Sequence, residues 1–290
     1  MLLLTREKYF LMKLFFFYMS YFQRWLKYYF RARTCHDVHS PFVSRLIREV
    51  IENKKHYYTF FSAERLRHKL LFNSAKIAVT DYGAGSMVTT DKQRSIKDIA
   101  KYAAISPKQG QQLFHLVRIA KPKSILEMGT SLGISAVYQA GAAPNATFIS
   151  LEGCPNTARL AQNNLRSLGL NQITVLDGPF KDNLPIALAQ LGVNTDFFFL
   201  DGDHQENSTL AYYQECLPFI HNDSVFVLAD IHWSESMEKA WNSLKSREEV
   251  TISIDLFHFG ILFFRKEHRV KQDFTLIAYP SKPWRLGFFQ

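Results

Sequence analysis

No C-x-x-C pair occurs in this chain, and its three cysteines, Cys35, Cys154 and Cys216, are widely scattered. That argues against a disulfide framework or a cysteine zinc site and fits the reducing cytoplasm. No run of about 20 apolar residues occurs either, the length a spanning helix needs. The nearest approach, Tyr9 to Phe22, is shorter and is interrupted by Lys13. No small-residue cleavage site follows it, so a secretory signal is disfavoured. The G-x-G-x-x-G spacing of nicotinamide dehydrogenases is missing, and so is any RNA-recognition signature. With 290 residues, 47% apolar and 21% charged, the chain is long and ordinary enough to bury one large core with an appendage.

Acid is scarce at the start of the chain. Residues 1–80 carry 15 Lys and Arg against 5 Asp and Glu, while the remaining 210 carry 20 against 21. The whole excess of +9 therefore belongs to an N-terminal module, residues 1–80, rich in basic and aromatic side chains. A cationic arm beside a nearly neutral domain suits a polyanion or an anionic membrane, or simply presents a solvated helical face. Residues 1–34 mix Tyr and Trp with Lys and Arg, a composition that suits a helix lying in the headgroup region. Packing on the rest of the chain or on a partner is the competing expectation. Further on, Phe42, Leu46, Ile47, Val50 and Ile51 recur at helical spacing after Ser40-Pro41, and "AERLRHKLLF" reads as a second short helix.

Two glycine loops compete for a ligand. "DYGAGS", Asp81 to Ser86, follows a short strand-like stretch, but about ten polar residues precede any helix, so it lacks the strand–turn–helix context. "ILEMGTSLG", Ile125 to Gly133, has that context, with an apolar strand before it and a helix from Ile134 to about Ala140 after it. The continuation alternates regularly. Strands end on Glu152, Asp177, Asp201 and Asp230, each followed by a helical stretch, and "VTISIDLFHFGILFFR" adds two strands with a tight turn near Phe259-Gly260. Continuous apolar strands separated by helices predict an α/β fold with a mostly parallel sheet covered on both faces. Glu127, Glu152, Asp177, Asp201 and Asp230 all fall at strand C-termini, the edge where open α/β sheets bind ligands. A single such acid is more often a helix cap, but capping alone does not account for five in register.

Residues 95–266 resemble class I S-adenosylmethionine-dependent methyltransferases, on the glycine turn, the ordered acids and the terminal hairpin. "ISPKQGQQLFHLVRIAKPKSILEMGTSLGISA" is similar to the O-methyltransferase branch that contains catechol and caffeoyl-coenzyme A O-methyltransferases. The resemblance implies a Rossmann-like methyltransferase fold, a seven-stranded sheet with an antiparallel last strand, and S-adenosylmethionine as cofactor. Glu127 and the turn Gly129, Thr130, Ser131 and Gly133 would then hold the methionine part. Glu152 with Gly153 would take the ribose hydroxyls, Asp177 with Gly178 would sit at the adenine, and Asp201 would lie near the sulfonium. Residues 267–290 are left as a C-terminal extension that adds a strand or folds over the pocket.

Departures from that pattern bear on the chemistry. Metal-dependent members of the branch carry a Lys where "DGDH" places His204, and an Asn after the strand-five Asp where Ile231 stands. Asp201 and Asp230 remain as donors for magnesium, which leaves metal dependence open. His204 is the expected general base for a hydroxyl acceptor, with Asp230 and His232 next. The expected activity is O-methylation of a small molecule. A methyltransferase acting on RNA or protein and a non-catalytic cofactor-binding protein are the alternatives. A cytoplasmic site, peripheral to the membrane if residues 1–34 touch it, and a homodimer are compatible with the sequence.

Overall fold

A computed structural model describes residues 6–80, 93–267 and 270–282; the "DYGAGS" turn lies outside the described residues. The chain opens with α1 (Arg6–Arg31) and α2 (Pro41–Leu46), and after a π-helical turn at Ile47–Ile51 continues with α3 (Tyr58–Leu71). A two-stranded antiparallel ribbon, β1 (Lys76–Ala78) and β2 (Gln93–Ser95), leads to α4 (Ile96–Tyr102) and α5 (Pro107–Ala120). The alternation then runs β3 (Ser124–Met128), α6 (Ile134–Ala142), β4 (Thr147–Glu152), α7 (Pro155–Ser167), β5 (Ile173–Asp177) and α8 (Phe180–Leu191). It continues with β6 (Phe197–Leu200), α9 (Glu206–Cys216), β7 (Val225–Ala229) and α10 (Glu235–Lys245). Strands β8 (Ile252–Asp255), β9 (Phe259–Phe263) and β10 (Gln272–Thr275) follow.

The main sheet has the order β10-β8-β9-β7-β6-β3-β4-β5. β3 to β7 are mutually parallel, β9 runs antiparallel to both β7 and β8, and β10 lies parallel to β8. The C-terminal extension therefore supplies an eighth strand beyond the expected seven. Strand side chains alternate between two cores. Ile125, Phe197, Phe199 and Val227 face one core, whereas Leu126, Met128, Phe198 and Leu228 face the other. Both faces are dry, so the strands read as unbroken apolar runs. Val43, Ile47, Phe60 and Ala63 from the N-terminal helices pack in the first of these cores, against the sheet.

From β3 the chain winds outward to β4 and β5, then returns to place β6 on the other side of β3. The strand order reverses between β3 and β6, and the crevice above their C-terminal ends is where such folds bind ligands. The β8–β9 turn falls earlier than expected, at Leu256–His258. Phe259 and Gly260 are already paired with Ala229 and Leu228, and Phe257 takes the left-handed backbone, φ 72°. A bulky aromatic is rare in that conformation, so the pattern favoured the glycine as the turn residue.

Helix α1 lies across the C-terminal end of β7 and the β8–β9 turn. Arg24 donates to the carbonyls of His232 (2.8 Å) and Trp233 (2.9 Å), and Phe17 sits edge-on to Trp233 at 4.8 Å. The segment after α1 is tied to the extension by Arg33 N to Thr275 O (2.7 Å) and Ile277 N to Arg33 O (2.9 Å). Among the described residues no helix is long and apolar enough to cross a membrane.

Candidate active site at the strand switch point

The turn after β3 is built for close approach. Gly129 adopts φ +109°, and a Cβ there would lie 2.1 Å from the Asp201 carbonyl oxygen. Only glycine lets β3 and β6 end this close together. The amides of Gly129 and Thr130 both donate to Leu151 O, at 2.9 and 3.1 Å, which folds the turn over β4. Ser131 and Gly133 are also left-handed, and the turn closes with Gly133 N to Thr130 O, 2.8 Å. The first turn of α6 thus starts immediately above the crevice.

Beneath the turn runs a buried polar chain. The Thr130 hydroxyl meets Ser150 Oγ at 2.6 Å, Ser150 donates to Glu127 Oε2 at 2.5 Å, and Gln139 donates to Glu127 Oε1 at 2.7 Å. Glu127 has no exposed surface. Burial pushes its carboxyl up to about 7, against the hydrogen bonds from Ser150, Ser135 and Gln139. The structure therefore places Glu127 under the crevice floor, one layer below the turn it was expected to act with.

Glu152 faces the turn directly. Its carboxylate receives Ser131 N at 2.8 Å and Cys154 N at 3.0 Å. A carboxylate offers roughly four acceptor positions, so holding two amides is compatible with also receiving a diol. One strand further out, Asp177 is exposed, and Gly178, at φ +122°, donates to Glu152 O at 3.0 Å. Gly153, Asp177 and Gly178 therefore line up beside Glu152 along one rim.

On the other side of β3, Asp201 N donates to Met128 O at 2.8 Å, and His204 Nε2 stands 3.8 Å from Asp201 Oδ1. One ligand atom each from Asp201, His204 and Asp230 lies within 4.8 Å of the others. Three non-glycine residues here take left-handed backbones: Asp203 (φ 66°), His204 (46°) and Asp230 (54°). Such clustering of strained residues is typical of functional sites. Burial first, and then the charges of Asp230 and Glu127, push the Asp201 carboxyl well above the usual carboxylate range.

His232 is not part of this cluster, contrary to its expected place among the bases and near the donors. Its Nδ1 lies 2.6 Å from Glu238 and its Nε2 2.9 Å from Asp255, so both ring nitrogens are engaged. Burial works against the charged ring, but these two carboxylates outweigh it and hold the imidazole up at about 9. His232 is a structural cation stacked on Phe257. Asp255 was missed because it pairs with His232 across 23 residues of sequence and also accepts Phe257 N at 2.8 Å. Ile231 is fully buried, and among the described residues the donor group is Asp201, His204 and Asp230.

Two more elements reach the acceptor side, neither singled out in the sequence. Tyr21 of α1 lies within 6.0 Å of Trp233 and 5.3 Å of Phe257, ring to ring, and burial and then the Asp230 charge raise its phenol to about 12. The His258 carbonyl accepts Asp230 N (2.7 Å), and His258 lines a cavity of about 100 Å³ with Tyr28, Lys108, Gln112 and Leu256. A roomier cavity, about 430 Å³, opens at the opposite end of the strands, lined by Lys123, Asp196 and His221. Asp196 there is consumed in clamping Lys123 N, Ser124 N and His221.

The reversed strand order, the glycine turn against Asp201 and the antiparallel β9 are those of a Rossmann-like methyltransferase fold. Residues 126–231 match a family described as a methyltransferase domain. The chain is 36% identical over 102 residues to a catechol O-methyltransferase of Niastella koreensis, covering 34% of this chain and 46% of that protein. To the catechol O-methyltransferase of Mycobacterium tuberculosis it is 33% identical over 130 residues, 44% of this chain and 57% of that one. The chain thus spans about half the length of the curated relatives it matches. Among solved structures, an O-methyltransferase from Bacillus cereus in complex with SAH superposes with a TM-score of 0.53 at 17% identity, covering 77% of this chain and 97% of that one. A SAH-bound methyltransferase of Podospora anserina gives 0.55 at 14% identity, covering 79% and 97%.

Proposed function

We propose that the protein transfers a methyl group from S-adenosylmethionine to a hydroxyl of a small molecule, with an aromatic diol such as a catechol as the first acceptor to assay. The carrying observation is the convergence of Asp201, His204 and Asp230 at the switch point; burial, and then the Asp230 and Glu127 charges, raise the Asp201 carboxyl, which leaves a place for a cation. S-adenosylmethionine supplies that positive charge and an electrophilic methyl on its sulfonium. In this reading Glu152 with Gly153 receives the ribose hydroxyls, and Asp177 with Gly178 borders the adenine. Gly129, Thr130, Ser131 and Gly133 present backbone to the methionine part. Glu127 acts from below, holding the turn through Ser150 and Thr130.

The chain's own contribution to the reaction is positioning and proton removal. His204 takes the acceptor proton as the acceptor oxygen bonds to carbon and the carbon–sulfur pair returns to sulfur. Asp230 orients the acceptor from the opposite side. The donors also fit a divalent ion: Asp201 and Asp230 offer the oxygens magnesium prefers, while His204 adds a nitrogen better suited to a transition metal. An ion bound there would hold the acceptor oxygens and engage His204. Residues 1–34 make the protein peripheral to a membrane in the same reading, through the outer face of α1.

Thermal unfolding with S-adenosylmethionine or S-adenosylhomocysteine, with and without magnesium, tests the site. A ligand at a hundred times its dissociation constant adds about 2.7 kcal/mol. Mass-spectrometric detection of a methylated catechol tests the transfer. No shift with either ligand refutes the cofactor. Binding without transfer to any small hydroxyl supports the non-catalytic alternative, and salt-sensitive RNA binding supports the RNA alternative.

A further inference from the structure

Helix α1 is apolar on two opposite sides. The inner side carries Phe17, Tyr21, Arg24 and Tyr28, which dock on Trp233, Phe257, the 232–233 carbonyls and Leu276 O. The outer side carries Met12, Phe15, Phe16, Met19 and Phe22, exposed by 41, 58, 62, 43 and 52%. Their spacing of three and four residues puts them in one stripe on the helix. A helix that served only to pack on its own fold needs one such stripe. Five large apolar side chains left in water along a single stripe mark an interaction surface.

Charge selects the occupant. No Asp or Glu occurs between Glu7 and Asp37, whereas Lys27, Arg31 and Arg33 are exposed along the same helix and just beyond it. Trp25 and Tyr29, both half-buried, add amphipathic rings of the kind that settle at headgroup level. An apolar stripe edged by cations with no anion complements an anionic bilayer, into which such a helix sinks its apolar side while lying in the plane.

The same helix also walls the acceptor side of the crevice. Tyr21 packs on Trp233 and Phe257 beside Asp230, and Tyr28 lines the small cavity with Lys108, Leu256 and His258. We propose that α1 seats the protein on an anionic bilayer and that the methyl acceptor is a hydroxylated aromatic dissolved in that bilayer, reaching Asp230 along α1. The acceptor class rests on the O-methylation reading above; the bilayer contact does not.

The test compares the full chain with the triple variant Phe15→Asp, Phe16→Asp, Phe22→Asp, whose altered residues are all exposed and outside the crevice. Equal thermal unfolding and an equal shift with S-adenosylhomocysteine establish that the variant is folded. The wild type is expected to sediment with phosphatidylcholine vesicles containing phosphatidylglycerol, less so at high salt, and the variant to bind about tenfold or more weakly. Methylation of 4-dodecylcatechol in those vesicles is expected to fall by a similar factor in the variant, while methylation of 4-methylcatechol in buffer stays unchanged. Equal sedimentation of both proteins, or none, overturns the bilayer contact. A wild-type dimer that the variant converts to monomer overturns it too, because a second copy then covers the stripe. Turnover of the short catechol with no gain for the vesicle-borne one overturns the acceptor class and leaves O-methylation standing. No turnover of either overturns O-methylation and the acceptor class together, and sedimentation still decides the bilayer contact.

Discussion

Replacing Gly129 by alanine tests the switch-point geometry most sharply. The residue has φ +109°, and its added Cβ would stand 2.1 Å from Asp201 O, where real contacts are not closer than 3.0 Å. The ends of β3 and β6 would have to part by about 1 Å, although Asp201 N to Met128 O (2.8 Å) ties them. Gly169→Ala is the matched control, since Gly169 is also left-handed (φ +75°), at the end of α7, but an added Cβ meets no atom within 4 Å. Both changes carry a left-handed cost of about 1–2 kcal/mol, and overpacking adds roughly 1–3 kcal/mol at Gly129 alone. At about 2 °C per kcal/mol, the melting temperature should fall by about 2–4 °C for Gly169→Ala and about 4–10 °C for Gly129→Ala. Calorimetric titration with S-adenosylhomocysteine should show at least a tenfold loss of affinity, on the order of 1.4 kcal/mol, for Gly129→Ala and none for the control. Equal melting shifts with cofactor affinity kept in both variants would refute the argument. So would an equal loss of affinity from Gly83→Ala and Gly85→Ala in the earlier turn.

His204→Ala should leave S-adenosylhomocysteine affinity nearly intact while slowing turnover by about a hundredfold or more, measured by steady-state kinetics; a loss of affinity without a rate defect would mean the base is misassigned. The His232 ring, held up at about 9 in the folded state, gives stability that is fully present below its unfolded value of about 6.5 and is lost as pH rises through about 9. That contribution is about 3 kcal/mol, so the gap in urea stability between wild type and His232→Gln should narrow between pH 6.5 and pH 10. Glu127, raised to about 7, gives stability present below its unfolded value near 4.5 and lost as pH rises through 7. Glu127→Gln should flatten the pH–stability curve across that window; an unchanged slope would mean that another group sets it.

Much of the fold was legible because the parallel strands are buried on both faces and end on acids. Phe197–Leu200 is fully buried, as an unbroken apolar run between helices predicts. The glycine turn was legible from its strand-before, helix-after context, and the capping box of Ser106 with Gln109 fits the S-P-K-Q start of α5. What stayed hidden depends on contacts between distant segments. His232 looked like a catalytic base because nothing local announces Glu238 and Asp255 on its two nitrogens. Tyr21 was one aromatic among many in a helix with two apolar sides, and local periodicity does not say which side docks. β10 was legible as a candidate strand, but its pairing with β8 depends on where Arg33 and Thr251 hold it.

The central claim is that the later glycine turn and its rim of acids cradle the adenosyl cofactor. The most direct measurement is a crystal structure of the protein soaked with S-adenosylhomocysteine. The account expects the ribose diol on Glu152, the adenine beside Asp177 and Gly178, and the sulfur over Gly129 next to Asp201. Density for the ligand at the Asp81–Ser86 turn, or no bound ligand at saturating concentration, would contradict it.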